Sequence, residues 1–500
     1  MYPSYNPVRE SWAGTPYSST GTGVNSPFTR SGAVWSMMAD WQIMNAVVSG
    51  TQSLRQQCAT YLPQEPREDD DAYTTRVKRS VLSPFTLRLI ENAAGLVLRR
   101  PITVNGDPYW QDFSKNVDGL GSSINEYARR ILVSALTYGH SGTLVDFPPG
   151  EGIRTLADEI ALGRRPYFIP IQAPSIWGWR QETSLPSSQL SQLRIHETAV
   201  IPDGDFGETQ EDRMRVLYPG RYELYNNEGE VETGTYSLNE IPFVPLYTNR
   251  TGMLSSIPPL LDIANLNITH YQRQADLIHA LHIAAMPILV LEGWDETDNA
   301  GVGVNYALSM QTGNKAYYVG ADSSSFNAQQ TELSSLEAQM STLGVTKLLG
   351  QKFVAESADA KRIDQAQANS VLSIISMEME SALQMCYNIA AVYVNKTPPQ
   401  INLDRDFDFY RLLGQDISVI DDLAARGAIT NRTFLQILKS GEILPDMIDL
   451  DAEMRETEAL RQQRREETLG SLDTRPMGSA SEERNSGTRA TSTRNETQAT

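Results

Sequence analysis

The sequence predicts an α+β fold in which helices dominate, and three observations carry that prediction. First, Val371, Ile374, Ile375, Met379, Ala382, Leu383, Cys386, Ala390 and Tyr393 recur with a 3.6-residue period. Residues 363–394 therefore read as one long helix, ended by Pro398-Pro399. Second, a helix is expected over 258–284, entered from Pro258-Pro259 and stopped before Pro287. Leu260, Ala264, Asn267 or Ile268, Tyr271, Ala275, Ile278 and His282 form its stripe. Third, residues 165–250 change to short strand-like runs at 167–169, 175–179, 193–196, 213–217 and 221–225. Asn226-Asn227-Glu228-Gly229 supplies a turn, so this region reads as small and mostly antiparallel.

The remaining elements follow in chain order. Residues 1–30 and 469–500 are polar tails, too poor in apolar groups to offset the cost of ordering. Trp35, Met38, Trp41 and Val48 give a helical pattern that Tyr61-Leu62-Pro63 closes. Helix resumes from Tyr73 to Leu98, with a bend expected at Pro84. Ile124, Ala128, Ile131, Leu132 and Ala135 share one face of a helix that Gly139 should cap. A strand follows at 143–147. After the 258–284 helix come strand-like runs at 288–291 and 316–320, then a helix over 332–349. Residues 350–361 read as a polar loop, 401–409 as a strand and 416–468 as a helical module.

Composition narrows the function. The chain has 500 residues, 40% hydrophobic and 21% charged, as globular proteins do. No apolar run is long enough to span a bilayer, and the N-terminus lacks the pattern of a secretory signal. Cys58 and Cys386 give neither a disulfide framework nor a zinc set and read as small buried hydrophobes. The net charge of −19 argues against tight DNA binding, which needs a basic patch. It suits a surface that DNA passes without sticking.

Catalytic and cofactor motifs are absent: there is no phosphate-binding loop, dinucleotide fingerprint, zinc-protease helix or nucleophile elbow. No cofactor is expected. His279 and His282 sit three apart on a helix with Asp276 as the nearby acid; packing or subunit contact is the reading taken over metal binding. Asp404, Asp406 and Asp408 alternate along a strand, but the glycine and glutamate of a calcium loop are missing, which leaves a solvated face. Lys347, Lys352, Lys361 and Arg362 flank the 350–361 loop. They read either as charge at helix ends or as a basic ring that touches phosphates in passing. A hydrolase would draw its general acid and base from Asp203, Asp205, Glu208 and Glu211, but the Gly-containing loop that holds them favours solvation.

The order of elements resembles that of the portal proteins of tailed bacteriophages, in particular the prophage-type group with a Tyr-Leu-Pro near its start. The residues that carry the resemblance are Trp41 with Gly50, Tyr61-Leu62-Pro63, Tyr73 with Arg76, Arg165-Pro166-Tyr167, Ile241-Pro242-Phe243-Val244, and the stretch from Pro258 to Tyr271 with Ala275-Asp276. Pro287 and Gly293 continue it, for a span of roughly 35–300. No single motif is specific; order and spacing make the case.

The resemblance implies a ring of twelve chains at one capsid vertex. It would serve as the channel for double-stranded DNA packaging and ejection and as the docking platform for terminase and the head–tail adaptor. The wing would span 31–255, the first stem helix 256–285, the clip 286–321, the second stem helix 322–347 and the tunnel loop 348–360. The long helix and strand at 361–410 would return to the wing, and 411–468 would form a crown. Lys347, Lys352, Lys361 and Arg362 would face the channel. Trp294 and Tyr306 would contact adaptor or terminase, and Asn267, Tyr271, His279 and His282 would lie between subunits. Implied partners are further copies of the chain, the major capsid protein, the terminase large subunit, the head–tail adaptor and, in passing, DNA, with no membrane. The location would be the virion, reached from the host cytoplasm. Such a chain is not an enzyme. Two other readings compete: a soluble hydrolase using the acidic cluster, and another virion protein such as an adaptor, which is usually much shorter.

Overall fold

The computed structural model describes residues 26–148, 164–182, 189–284, 288–292, 315–319, 323–344, 358–404, 414–440, 443–444 and 448–472. The chain divides into two units, Met1–Asp408 and Phe409–Thr500. Among the described residues it is a mixed α and β protein whose strand pairs are all antiparallel.

The first unit opens with helices α1 (Gly32–Val48), α2 (Thr51–Gln56) and α3 (Cys58–Tyr61). Ser31 caps α1 by accepting from the Val34 amide. The single helix expected up to Leu62 is broken after Val48, where Gly50 adopts φ +84°. Helices α4 (Asp70–Arg79) and α5 (Phe85–Val97) replace the bent helix expected across Pro84. The interruption from Ser80 to Pro84 is a full break, because proline disfavours helical backbone in the residue before it.

A short strand β1 (Thr103–Asn105) and helix α6 (Pro108–Phe113) follow, then α7 (Ile124–Tyr138) and β2 (His140–Asp146). Ser123 and Glu126 close a reciprocal capping box at the start of α7. Gly139 ends it at φ +89°, and a Cβ there would lie 2.9 Å from the Ile257 carbonyl. Only glycine meets both demands.

Strand β2 is the middle of a three-stranded sheet, between β3 (Tyr167–Gln172) and β9 (Phe243–Tyr247). The expected β region is a five-stranded meander: β4 (Ile176–Glu182), β5 (Gln189–Asp203), β6 (Gly207–Tyr218), β7 (Arg221–Asn226) and β8 (Gly229–Thr235). Small strands β10 (Arg250–Gly252) and β11 (Ser255–Ser256) lead to helix α8 (Leu261–Ala284). Then come β12 (Ile288–Glu292), β13 (Lys315–Val319), α9 (Ser323–Gly344), α10 (Ala358–Val394) and β14 (Gln400–Asn402). Strand β14 pairs with β1, which ties the end of the unit to its first third.

The main core lies between α5, α7, α8, α10 and the three-stranded sheet. Its centre is aromatic: Phe113 packs on Phe168 at 5.3 Å, Phe168 on Tyr387 at 5.5 Å and Tyr387 on Trp110 at 5.7 Å, each edge to face. The polar tips are satisfied. Trp110 Nε1 donates to the Thr397 carbonyl at 2.8 Å, and the Tyr387 hydroxyl meets Ser114 Oγ at 2.6 Å. Cys386 is buried here, and burial pushes its thiol up to about 12. Cys58 is half-buried and, like Cys386, unpaired.

The second unit contains α11 (Gly414–Ala425), α12 (Asn431–Ser440) and α13 (Leu450–Leu472). Consecutive helices pack on one another. The expected helical module is present.

Candidate functional site

No catalytic constellation forms among the described residues, and no group of three or more metal-ligating side chains comes together there. The acidic residues open to a hydrolase reading lie on the β5–β6 hairpin. Asp203, Asp205 and Glu208 are exposed at its tip. Hydrogen bonds from Asn226 and Arg213 hold the Glu211 carboxyl below the usual range, the reverse of what a general acid needs. Asp404 pairs with Arg100 at 3.1 Å, while Asp406 and Asp408 lie outside the described residues.

The feature that stands apart is a helical pair. Helix α8 packs along α9, with His270 Nε2 3.2 Å from Glu337 Oε1 and Arg273 Nε 3.3 Å from Glu332 Oε1. Partners descend in α9 as they ascend in α8, so the helices run antiparallel. Met340 and Leu333 of α9 are buried at this seam, as is Leu277 of α8. Between the helices in sequence, β12 and β13 pair antiparallel from Ile288↔Val319 to Glu292↔Lys315. The chain thus runs out along one helix, through a strand pair, and back along the other.

Helix α8 is fastened to the N-terminal helices by polar residues along its first two thirds. Asn267 is completely buried. Its Oδ1 accepts from both the amide and the hydroxyl of Thr86 at 3.2 Å, and its Nδ2 donates to the Ser83 carbonyl at 2.9 Å. Pro84 occupies the N-cap position of α5 and has no side-chain acceptor to offer. Asn267 therefore caps α5 from another helix. The Tyr271 hydroxyl meets Ser80 Oγ at 2.7 Å, and Gln272 Nε2 donates to the Tyr61 carbonyl at 2.9 Å. One step further, Asp276 receives Arg76 at 3.0 Å.

Arg76 is the hub of this anchor. It is 4% exposed; Nε and Nη2 grip Glu68 at 2.8 and 2.7 Å, and Nη2 also donates to the Pro63 carbonyl at 2.8 Å. The hydrogen bond from Arg76 holds the Glu68 carboxyl below its ordinary range. Asp276 moves the other way, because burial outweighs its share of the same guanidinium. Arg76, Glu68, Asp276 and His279 line a cleft with Glu65, Pro66 and Arg67.

The residues singled out in the sequence fall into four groups. Asn267 and Tyr271 were expected between subunits, but both are wholly buried and bonded within their own chain. Their amide and hydroxyl serve α5 and the Ser80 turn, which leaves no surface for a neighbour. His279 and His282 are half-buried on the distal half of α8. Trp294, Tyr306, Lys347 and Lys352 lie outside the described residues, while Lys361 and Arg362 fall within α10, whose first turns begin at Ala358. The anchor residues Ser80, Thr86 and Gln272 were not foreseen. The clue was Asn267 itself, an amide within an apolar stripe, seen together with a proline that cannot cap the helix it starts.

Comparison with known proteins adds the following. Residues 259–394 match a family model described as a domain of unknown function, DUF4055. The match covers α8 through α10, the helical pair included. No curated protein matches the chain. Among solved structures, a chain from the neck of an empty GTA particle aligns at 14% identity and TM-score 0.40, covering 75% of this chain and 94% of that one. A chain from the virion of a native gene transfer agent (GTA) particle aligns at 12% identity and TM-score 0.39, covering 78% and 99%. A chain from the neck of the native GTA particle aligns at 13% and 0.38, covering 71% and 89%. Overlap of this extent assigns neither a fold family nor a function.

Proposed function

We propose that the chain is a non-enzymatic structural subunit of a phage-type particle, and specifically a portal protein that assembles as a ring of twelve around a DNA channel. One observation carries the reading: the antiparallel pair α8 and α9, joined through the β12–β13 strand pair and fastened at its base to a helical layer. A column of two helices with a strand-built end is a shape that copies can set side by side around an axis. Rings of one chain are closed by heterologous contacts, each copy offering two different faces.

In this reading the Trp294 and Tyr306 segment, between the two strands, meets the adaptor or terminase. Lys347 and Lys352, on and beside a loop that faces the channel, and Lys361 and Arg362, on the first turns of α10 that follow it, touch phosphates in passing. The overall negative charge keeps the polymer mobile. His279 and His282 remain as contacts between copies.

The test is direct. Twelve chains of 55.5 kDa give a particle of roughly 0.7 MDa by light scattering, with a central hole in negative-stain images. A chain that stays monomeric at every concentration, with no ring seen in particles that contain it, would sink the reading. Given a ring, Lys352→Ala with Lys361→Ala should change packaged genome length or ejection and leave assembly intact.

A further inference from the structure

Helix α10 carries two apolar stripes, and only one of them is used inside the chain. The inner stripe of Leu372, Ile375, Met379, Leu383, Cys386 and Tyr387 is at most 5% exposed. It packs against α5 and strands β2 and β9. The outer stripe is open: Ile374 is 59% exposed, Met377 49%, Met385 53% and Val392 62%. These four lie within about 80° of one another around the helix and extend along about 27 Å of it. The other exposed positions from 374 to 392 are Glu378, Ser381 and Asn388, so this face carries one charge. A solvated helix face is normally studded with Lys and Glu; a helix apolar on both sides is one that is covered on both sides.

We infer that the outer stripe of α10, Ile374, Met377, Met385 and Val392, is an interface for a second copy of this chain. The inference rests on the ring reading above and names a contact within it. Charge selects the occupant. The chain carries 61 acidic against 42 basic residues, so two copies repel over most of their surfaces. A nearly neutral strip is where they can approach without that penalty. The strip offers nothing to phosphate, which excludes nucleic acid. Its two methionines are soft and unbranched, and adapt to a surface unlike their own, as a heterologous contact requires.

A benzophenone photocrosslinker at position 385 of the full-length chain tests this. Assembled from a mixture of light and heavy-isotope subunits and irradiated, the protein should give covalent dimers whose linked peptides pair light with heavy. Links found only within one chain, or none to protein at all, would overturn the interface. Met377→Glu with Met385→Glu should cut the ring fraction at least tenfold by light scattering, while circular dichroism and the melting curve stay unchanged. Rings that persist in that variant refute the interface and leave the portal reading standing. Light–heavy links in a wild-type dimer that never forms rings would refute the portal reading and keep the interface. Should the double variant misfold, the crosslink alone decides.

Discussion

His140 begins strand β2 with Nδ1 2.7 Å from Ser256 Oγ and with Nε2 unpartnered among the described residues. It is 1% exposed, packed against Trp41 and Tyr247, and burial lowers its pKa to about 4. In the unfolded chain the ring titrates near 6.5. Between those values the unfolded state binds a proton that the folded state refuses, so stability falls as pH drops from 6.5 to 4, by about 3 kcal/mol in all. Denaturant midpoints measured from pH 7 to 4.5 should show this slope, and His140→Gln should flatten it; equal slopes in both proteins would acquit His140. Arg76 makes the opposite demand, since removing it strands Glu68, whose side chain is 10% exposed. Arg76→Met should cost about 3–5 kcal/mol, the usual penalty for an abandoned buried charge. A loss below about 1 kcal/mol in thermal melts would mean that water reaches Glu68 once its partner has gone.

Helices α5 and α8 share Asn267, so one substitution should loosen both. Asn267→Ala leaves the Thr86 amide without an acceptor in a dry site, at about 1–3 kcal/mol. Amide exchange should rise in the first turn of α5 and in the middle of α8, whereas Asn265→Ala, on the exposed side of α8, should change little. Protection unchanged in the first turn of α5 would show that another group caps it. Which elements were legible in the sequence follows from how each is held. Helices α8 and α10 were readable because their own apolar periods bury them. Helix α9 begins at Ser323, nine residues before the Glu332 read from the pattern. The Ser, Asn and Gln in between carry no stripe, and the helix packs along α8 instead. Strand β1 and helix α6 gave no periodic signal at all. They exist because β14 and Tyr387, far along the chain, complete them. The anchor under α8 was hidden for the same reason, as capping across helices leaves no local mark.

The two units differ in how far they bury themselves. The first has a continuous core that runs from Met44 to Leu403. In the second, Leu438 is the one buried apolar residue among those described, while Val419, Leu423, Ile443 and Leu460 stand 40–59% exposed. Three helices with so little shared interior gain little on folding alone. Residues 409–500 made in isolation should therefore show partial helix by circular dichroism and a broad, non-cooperative melt. A sharp transition would reveal an interior that the isolated chain can build unaided.

The fastening of α8 also has a mechanical side. Asn267, Tyr271, Gln272 and Asp276 hold one helix to its bed through side-by-side links. A tug along the axis of that helix loads all of them in shear at once, and nothing peels. The distal half, where Leu281 and Ile283 stand in the open, would yield first.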